Sequence, residues 1–401
     1  MSESNAQGYL PYGRQNISDD DIEAVIDALK SSRITQGPRV EEFEEALCEY
    51  TGADYCSVLS SGTAALHLAY AALDIGVGDE IVTSPITFAA TANAARYLGA
   101  DVRFADVDPA SGNISVASVA DKITPKTKAI VAVHLGGLPC DMREFRKLAD
   151  FHGIALIEDA AHALGASFRG NSIGGGIADL AIFSFHPVKH LTTGEGGAVT
   201  TNSKSLKERI DRLRHHGIER NPENFSTPSP GRWYHEIVEL GYNYRLTDFQ
   251  CALGLSQLKR QAQGVARRRE IAGYYRELLS PWSSSMSAQA QYDDRFSAYH
   301  LFPLQINFQA LGVSRGETMD QLDQLGIGTQ VHYIPVNHQP YYKSVYGEPE
   351  SLPGATEYYA RTLSLPMYPE LSNSDVDYVV GSILNVLGLS TAESQRTKVA
   401  S

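Results

Sequence analysis

The chain has 401 residues, 43% hydrophobic and 20% charged, so it can bury a sizeable core and is not expected to be disordered. Its formal net charge of −13 argues against a broad nucleic-acid-binding or anionic-membrane surface, although a small anionic ligand needs only a local positive pocket. The four cysteines are widely spaced and form no CxxC pair. This spacing favours a reducing compartment over a disulfide framework or a structural zinc site.

The two ends of the chain are polar and poor in bulky apolar residues. We predict a loose N-terminus over residues 1–10 and a disordered tail over 389–401. The N-terminal segment lacks a basic stretch followed by an apolar core, and no apolar run reaches the roughly 18 residues that span a bilayer. The sequence therefore predicts a soluble, cytoplasmic protein with neither a membrane nor a nucleic acid as a partner.

Between the ends, helical patterns alternate with short apolar runs that are typical of buried strands. The helical patterns of the first half cover 18–31, 39–51, 62–73 and 142–152. The strand-like runs cover 80–85, 101–107, 129–135, 154–160, 180–185 and 196–202. Such an alternation predicts an α/β fold with a largely parallel sheet.

A long helical pattern over 246–278 marks a change in organisation. It is followed by an apolar run at 297–306 and a helical pattern at 314–326, which together suit a smaller α+β domain. We predict a large domain over 11–260 and a small C-terminal domain over 261–388, in line with the two or three domains expected for this length.

The stretch "FSFHPVKHLTTGEGG" (183–197) places Lys189 between two histidines and admits three interpretations. His186 and His190 have the spacing of metal ligands on one helix face, but Pro187 and the following glycines favour a loop, and no metal is predicted. A solvated basic loop is the simplest alternative. A reactive amine is the third.

The stretch "LIEDAAHALGA" (156–166) favours the reactive amine. It places Asp159 at the end of an apolar strand, the edge at which α/β proteins gather ligands. A carboxylate there and a lysine beyond another strand suit pyridoxal 5′-phosphate, since the lysine forms a Schiff base and the acid pairs with the pyridinium nitrogen. A strand-end cap is the alternative role for Asp159.

A phosphate site is predicted at "LSSGTAALHLAYAAL" (59–73), where small residues precede an apolar helix. Backbone N–H groups and the hydroxyls of Ser61 and Thr63 could hold an anion there. An ordinary helix cap is the commoner use of such residues. Neither the G-x-G-x-x-G dinucleotide pattern nor the P-loop pattern occurs.

Six long motifs in order, among them "SSGTAALHLA", "IEDAAHALGA", "FSFHPVKHLTTGEGGAVTTN" and "LGYNYRLTDFQCALGLSQL", resemble the DegT/DnrJ/EryC1/StrS sugar-nucleotide aminotransferases. The resemblance covers residues 9 to 387. It implies the fold-type I architecture of pyridoxal-phosphate enzymes, with a mostly parallel mixed sheet in the large domain and a smaller C-terminal α+β domain. It also implies a homodimer whose active sites lie at the interface.

The resemblance assigns roles to individual residues. Lys189 would bind the cofactor covalently and shuttle the proton, and Asp159 would pair with the pyridine nitrogen. The other residues implied to contact the cofactor are Gly62, Thr63, Ala64 and Ser184 at the phosphate, Phe88 on the ring, His162 near the ring and its hydroxyl, and Asn243 at the neighbouring subunit's phosphate. Read without the family, Phe88 and His162 are core residues and Asn243 is a turn residue.

Three stretches, 32–47, 184–197 and 331–342, most resemble the branch of the family that serves pseudaminic acid synthesis. This likeness implies a UDP-linked 4-keto sugar as substrate and glutamate as amino donor. Tyr12, Thr35, His332 and Tyr333 would then border the sugar-nucleotide pocket, with interdomain packing as their alternative role. Another keto sugar nucleotide, or an inactive regulatory member of the same fold, remain the competing interpretations.

Overall fold

The computed structural model of the chain describes residues 8–389. Residues 1–7 of the predicted loose N-terminus and 390–401 of the predicted tail lie outside the described residues. The helices of the described part are α1 Asp19–Lys30, α2 Pro38–Thr51, α3 Gly62–Ala72, α4 Ala90–Tyr97, α5 Val116–Lys122, α6 Met142–His152, α7 Lys204–Arg214, α8 Asp248–Leu258, α9 Gln261–Leu279, α10 Phe308–Leu311, α11 Arg315–Gln324, α12 Pro340–Tyr346, α13 Pro353–Arg361 and α14 Asn373–Val386.

The strands form one large sheet and three small ones. They are β1 Tyr55–Leu59, β2 Glu80–Thr83, β3 Asp101–Phe104, β4 Thr127–Val133, β5 Ala155–Asp159, β6 Ser167–Phe168, β7 Asn171–Ser172, β8 Leu180–Ser184, β9 Gly197–Thr201, β10 Ile218–Glu219, β11 Glu236–Ile237, β12 Met286–Ala288, β13 Arg295–Phe296, β14 Phe302–Ile306 and β15 Thr362–Leu365. The large sheet has the order β1-β9-β8-β5-β4-β2-β3.

The large sheet is mixed and mostly parallel, which confirms the predicted fold class. Strands β3, β2, β4, β5 and β8 run parallel to one another, whereas β9 runs antiparallel to both β8 and β1. Asp159 and Ser184 are the last residues of the adjacent parallel strands β5 and β8. The topology therefore brings these two residues to the same edge of the sheet.

The helical pattern over 246–278 contains two helices, α8 and α9, with a break between them. Arg260 leaves the helical region at φ −107°, ψ 6°. Its guanidinium donates to the buried carboxylate of Asp21 on α1. The residue at the break is thus held by a long-range ion pair that no local pattern reveals.

The large sheet carries a hydrophobic core on each face. Neighbouring residues of β4 belong to different cores, Ile130 to one and Val131 to the other, as the alternation of side chains along a strand requires. A third core surrounds the β12-β14-β15 sheet. Helix α9 contributes Val265 to one of the first two cores and Ile271 to the third, and the division between domains at residue 260 stays a prediction.

The described ends are more ordered than predicted. Leu10 is buried, and its N–H donates to the carbonyl of Gly326 at 2.8 Å. Leu389 donates to the carbonyl of Leu384 at the end of α14. Both leucines bury apolar surface in the third core, which explains the difference. No helix within residues 8–389 is long and apolar enough to cross a membrane.

Asp21 ties α1 to the rest of the large domain. It completes a capping box with Ser18 and accepts hydrogen bonds from Arg260 at 2.8 Å and Gln257 at 3.1 Å. Burial alone would raise the pKa of this carboxyl, but the hydrogen bonds from Arg260 and Ser18 lower it to about 2. The charged form of Asp21 therefore stabilises the folded state.

We expect Asp21→Asn to lower the free energy of unfolding by about 2 kcal/mol at neutral pH, since one unit of pKa corresponds to about 1.4 kcal/mol. A carboxyl with a lowered folded-state pKa stabilises above its unfolded pKa, near 3.9, and loses this contribution as the pH falls towards 2. Urea unfolding of the parent and the variant should show a difference in the free energy of unfolding that is constant above about pH 4 and becomes smaller below it. The exposed neighbour Asp20 offers the control Asp20→Asn, with an expected change within about 0.5 kcal/mol.

Candidate active site

The loop between β8 and β9 presents Lys189. The N–H of Lys189 donates to the carbonyl of His186 at 2.9 Å, which forms a turn. His186 is exposed, whereas the Nε2 of His190 lies 3.0 Å from the carbonyl oxygen of Ala298 and donates to it. Among residues 8–389 no group of three or more His, Cys, Asp or Glu has the geometry of a metal site. The two histidines thus shape and anchor the loop that carries the lysine.

The amine of Lys189 lies in a poorly solvated position. Its Nζ is 3.4 Å from the Nε2 of His300. Burial lowers the pKa of Lys189 to about 8, against the raising effect of the Asp159 carboxylate. A substantial fraction of this amine is therefore neutral, and so nucleophilic, near physiological pH.

Asp159 is held rigidly at the edge of the sheet. Its side chain is buried, its Oδ2 accepts a hydrogen bond from the hydroxyl of Thr91 at 2.7 Å, and its Oδ1 accepts one from the N–H of Ala161 at 3.2 Å. These bonds fix the carboxylate within electrostatic reach of Lys189, whose pKa it raises. A buried carboxylate so fixed can pair with a cationic group of a ligand.

His162 and Tyr333 pack together beside these charges. The Nδ1 of His162 accepts a hydrogen bond from the N–H of Gly136 at 3.3 Å, so its neutral ring carries the proton on Nε2, which lies 3.2 Å from the hydroxyl of Tyr333. Burial and the nearby Lys189 hold the pKa of His162 well below its usual range. Neighbouring His332 is anchored to the hydroxyl of Ser364 at 2.9 Å. The structure brings these three predicted residues together.

The entrance of α3 lies against the end of β8. The first N–H groups of a helix have no intrahelical partner. At α3 the side chain of Ser61 accepts a hydrogen bond from the N–H of Ala64 at 3.0 Å, whereas the N–H groups of Gly62 and Thr63 remain without an intrahelical partner. A Cβ atom added at Gly62 would lie 2.9 Å from the Cβ and 3.2 Å from the Oγ of Ser184. Glycine at position 62 is thus what allows the helix entrance and the Ser184 hydroxyl to approach each other.

The remaining predicted residues differ in their surroundings. Phe88 is 61% exposed, and its ring centroid lies 6.4 Å from that of Tyr333. Tyr12 packs on His332 with ring centroids 5.4 Å apart. Asn243 and Thr35 are both exposed, and among residues 8–389 neither side chain hydrogen-bonds to Lys189 or Asp159. The first pair therefore borders the site within this chain, whereas the second pair faces outwards.

Two residues of the site were not singled out from the sequence. His300 contacts the amine of Lys189, and Thr91 binds the carboxylate of Asp159. The only local signal for His300 is a histidine inside the apolar run at 297–306. Thr91 lies in a helix of small residues and has no distinguishing pattern, so both assignments depend on long-range contacts.

A cavity of about 270 Å³ adjoins the Lys189 loop. Its lining includes four arginines and one glutamate, namely Arg14, Arg260, Arg267, Arg268 and Glu370. Arg260 and Arg267 pair with Asp21 and Glu270. Because the arginines of the lining outnumber its one glutamate even after these two pairs are set aside, the cavity is locally positive within a chain of net charge −13. A positive cavity suits an anionic ligand.

Comparison with known proteins identifies relatives along nearly the whole chain. The model of the DegT/DnrJ/EryC1/StrS aminotransferase family matches residues 15–384. The spore coat polysaccharide biosynthesis protein SpsC of Bacillus subtilis is 41% identical over 381 residues, which cover 94% of this chain and 97% of SpsC. The UDP-4-amino-4,6-dideoxy-N-acetyl-beta-L-altrosamine transaminase of Campylobacter jejuni is also 41% identical, over 382 residues, 94% of this chain and 97% of that protein.

A solved structure agrees with these relatives. Helicobacter pylori PseC, described as an aminotransferase involved in the biosynthesis of pseudoaminic acid, superposes with a TM-score of 0.88 at 31% identity. The superposition covers 95% of this chain and 100% of PseC. The family match and the identities over nearly full length establish that this chain belongs to the DegT/DnrJ/EryC1/StrS aminotransferase family and is an aminotransferase.

Proposed function

We propose that this aminotransferase uses pyridoxal 5′-phosphate to move an amino group from glutamate to a UDP-linked 4-keto-6-deoxy-N-acetylhexosamine. The proposed product is UDP-4-amino-4,6-dideoxy-N-acetyl-β-L-altrosamine, which serves pseudaminic acid biosynthesis. The observation that carries the chemistry is the amine of Lys189, with a lowered pKa, beside the buried carboxylate of Asp159. The choice of sugar is supported by the Campylobacter jejuni relative and by the likeness to PseC.

The residues present fit the cofactor. Lys189 would hold it through Nζ, and Asp159 would face the ring nitrogen, where a fixed carboxylate keeps that nitrogen protonated. The free N–H groups at the α3 entrance would bind the phosphate together with Ser184, because a helix N-terminus attracts anions. Phe88 offers an exposed aromatic face that would cover the ring.

The chain's own residues can carry the proton transfers. When bound, pyridoxal phosphate supplies an electron sink that allows an amino acid to lose its α-proton. Lys189, once released from the cofactor, would take that proton on Nζ, for which burial and a pKa of about 8 are suitable. His162 holds its proton on Nε2 towards Tyr333. The same groups would act in reverse on the keto sugar.

The surroundings of the site suit a sugar nucleotide. The positive cavity beside the Lys189 loop would favour the approach of a diphosphate. Tyr12, His332 and Tyr333 form a cluster of rings with centroids 5.4 and 4.8 Å apart. Aromatic surfaces with a few polar groups are typical of sugar and base recognition, and we propose that this cluster borders the sugar.

A homodimer is part of the proposal. Helix α1 exposes Ile22, Ile26 and Leu29, which are 49%, 40% and 53% exposed and share one helix face. Asn243 and Thr35 are also exposed. We propose that a second copy covers the α1 face and that Asn243 reaches the phosphate in the partner's site. Light scattering on the purified protein should give a particle of two chains, and a monomer would contradict this assembly.

The function is tested by a transamination assay over a panel of keto sugar nucleotides with glutamate as donor. We expect the fastest turnover with the UDP-linked 4-keto sugar, with product stereochemistry read by NMR. A faster reaction with another keto sugar nucleotide would overturn the substrate assignment while leaving the aminotransferase chemistry intact. That outcome is the second candidate, because this chain is as similar to SpsC, named for spore coat polysaccharide biosynthesis, as to the Campylobacter jejuni transaminase.

We expect Gly62→Ala to weaken cofactor binding about tenfold, since a loss of about 1.4 kcal/mol corresponds to one decade in affinity. The added Cβ would lie 2.9 Å from the Cβ of Ser184, so the helix entrance and the serine must move apart. Titration of the cofactor-free protein with pyridoxal phosphate, followed by absorbance, measures the affinity.

Gly273→Ala, within α9, is the matched control. No atom lies within 4 Å of a Cβ at that position, so cofactor affinity should be unchanged while stability rises by about 0.5–1 kcal/mol. Equal affinity in the Gly62→Ala variant and the parent would contradict the placement of the phosphate at the α3 entrance.

A further inference from the structure

A histidine outside the predicted set contacts the amine on which the reaction depends. His300 precedes β14, is 4% exposed, and has its Nε2 3.4 Å from the Nζ of Lys189. Its other ring nitrogen, Nδ1, is fully buried and has no hydrogen-bond partner among residues 8–389. A buried polar atom without a partner destabilises the folded state. A function of Nε2 is therefore a reason for a histidine to occupy this position.

The charge state of His300 determines what its Nε2 can do. Burial and the positive charge of Lys189 hold the pKa of His300 well below its usual range, so the ring is neutral. A lysine ammonium has only donors. The Nε2 that faces Lys189 is therefore the acceptor, and the proton of the ring resides on Nδ1.

The position of His300 is fixed from two sides. Arg268, on α9, donates to the carbonyl of Tyr299 at 3.2 Å and to that of Met367 at 2.8 Å. The His300 ring packs on that of His162 with centroids 4.4 Å apart and an interplanar angle of 44°. Arg268 and the His162 ring thus hold the His300 segment from two sides, with its acceptor atom 3.4 Å from the lysine amine.

We propose that His300 is a positioning residue for Lys189: its Nε2 accepts a hydrogen bond from Nζ and orients the amine. This role rests on the proposed function, because orientation matters when Lys189, free of the cofactor, removes a proton from the donor. A displacement of about 1 Å in such a group can cost about 10²-fold in rate. The titratable groups around Lys189 are Asp159, His162, His190, His300 and His332.

Two substitutions separate the acceptor from the ring. The Oε1 of a glutamine can occupy the place of Nε2, whereas the Oδ1 of an asparagine reaches only the place of Nδ1. His300→Gln should therefore preserve the bond to Lys189 and His300→Asn should remove it. His67→Gln is the matched control, since it alters a buried imidazole of α3 that packs on Tyr242, with ring centroids 4.7 Å apart, and not on Lys189. Thermal unfolding of each variant checks that it is folded.

The first measurement uses the cofactor-free protein and does not depend on transamination. Competitive acetylation of Lys189, followed by mass spectrometry across pH, gives the pKa of its amine. The Nε2 acceptor stabilises the ammonium form, so its removal should lower the pKa of Lys189. We expect the pKa of Lys189 to fall by about one unit in His300→Asn, which is about a tenfold weaker preference for the charged form. It should stay near the parent's value in His300→Gln and His67→Gln. Equal pKa values in all four proteins would overturn the proposal.

The second measurement uses the holoenzyme and α-deuterated glutamate. If the amine is misplaced, proton removal becomes slower and the primary isotope effect on the half-reaction rises. We expect a rate about 10²-fold lower in His300→Asn, a larger isotope effect, and recovery in His300→Gln. An unchanged isotope effect in His300→Asn would contradict the role. A protein that does not transaminate fails the proposed function and leaves the acetylation result standing.

Discussion

Lys189→Ala is expected to lower the turnover of the enzyme by at least about 10⁴-fold, the upper range for loss of a positioned acid–base group, and further because the covalent anchor is lost. Lys189 is the residue that the β8–β9 loop presents to the site, and its amine has a pKa lowered to about 8 by burial. Alanine removes both the nucleophile and the base. Among residues 8–389 no other lysine hydrogen-bonds to His300 or forms an ion pair with Asp159, so we expect no neighbour to substitute.

The variant is measured by steady-state transamination and by the visible absorbance of the bound cofactor. Lys147→Ala, on the exposed face of α6, is the control that removes a lysine without touching the site, since the side chain of Lys147 is 56% exposed. It should retain the parent's rate and spectrum. Undiminished turnover in Lys189→Ala would mean that another group carries the amine chemistry.

Asp159→Asn should reduce kcat/KM by about 10²- to 10³-fold, the range observed when one preorganised electrostatic group is removed from a site. The amide is nearly isosteric and can still accept the hydrogen bond from Ala161. It lacks the negative charge that would keep a ring nitrogen protonated. The effect should therefore fall on catalysis and on the cofactor spectrum, and only weakly on folding.

Thr91→Val separates the charge of Asp159 from its orientation. The substitution removes the 2.7 Å hydrogen bond to Oδ2 but leaves the carboxylate in place. We therefore expect kcat/KM to fall about tenfold, which is equivalent to about 1.4 kcal/mol of activation free energy. Kinetics of the two variants under identical conditions provide the comparison. If Asp159→Asn stayed within twofold of the parent, the pairing of this carboxylate with a cationic ring would be wrong.

Much of the fold could be predicted because its signals are local. The apolar run at 154–160 contains β5, and the helical pattern at 62–73 contains α3. Even the antiparallel direction of β9 has a local cause. The connection from β8 contains no helix, and a parallel return needs a crossover that usually contains one. Asp159 ends such a strand and Lys189 follows another. The sequence alone could therefore predict that the two residues share a site.

The rest depends on contacts between distant segments. His300 lies in an apolar run, where a histidine is usually a satisfied core residue, and only the approach of the β8–β9 loop gives it a role. Arg260 lies at the break in an otherwise continuous helical pattern and binds Asp21, which is far away in the chain. Periodicity records which face of an element is buried. It does not record which polar atoms meet across the core.

The most direct test of the account is to locate the cofactor. The purified protein is loaded with pyridoxal phosphate, reduced with borohydride, digested, and analysed by tandem mass spectrometry. The account predicts a single phosphopyridoxyl adduct, on the peptide that contains Lys189, and its absence from the Lys189→Ala variant. An adduct on a different lysine, or none in the loaded parent protein, would contradict it.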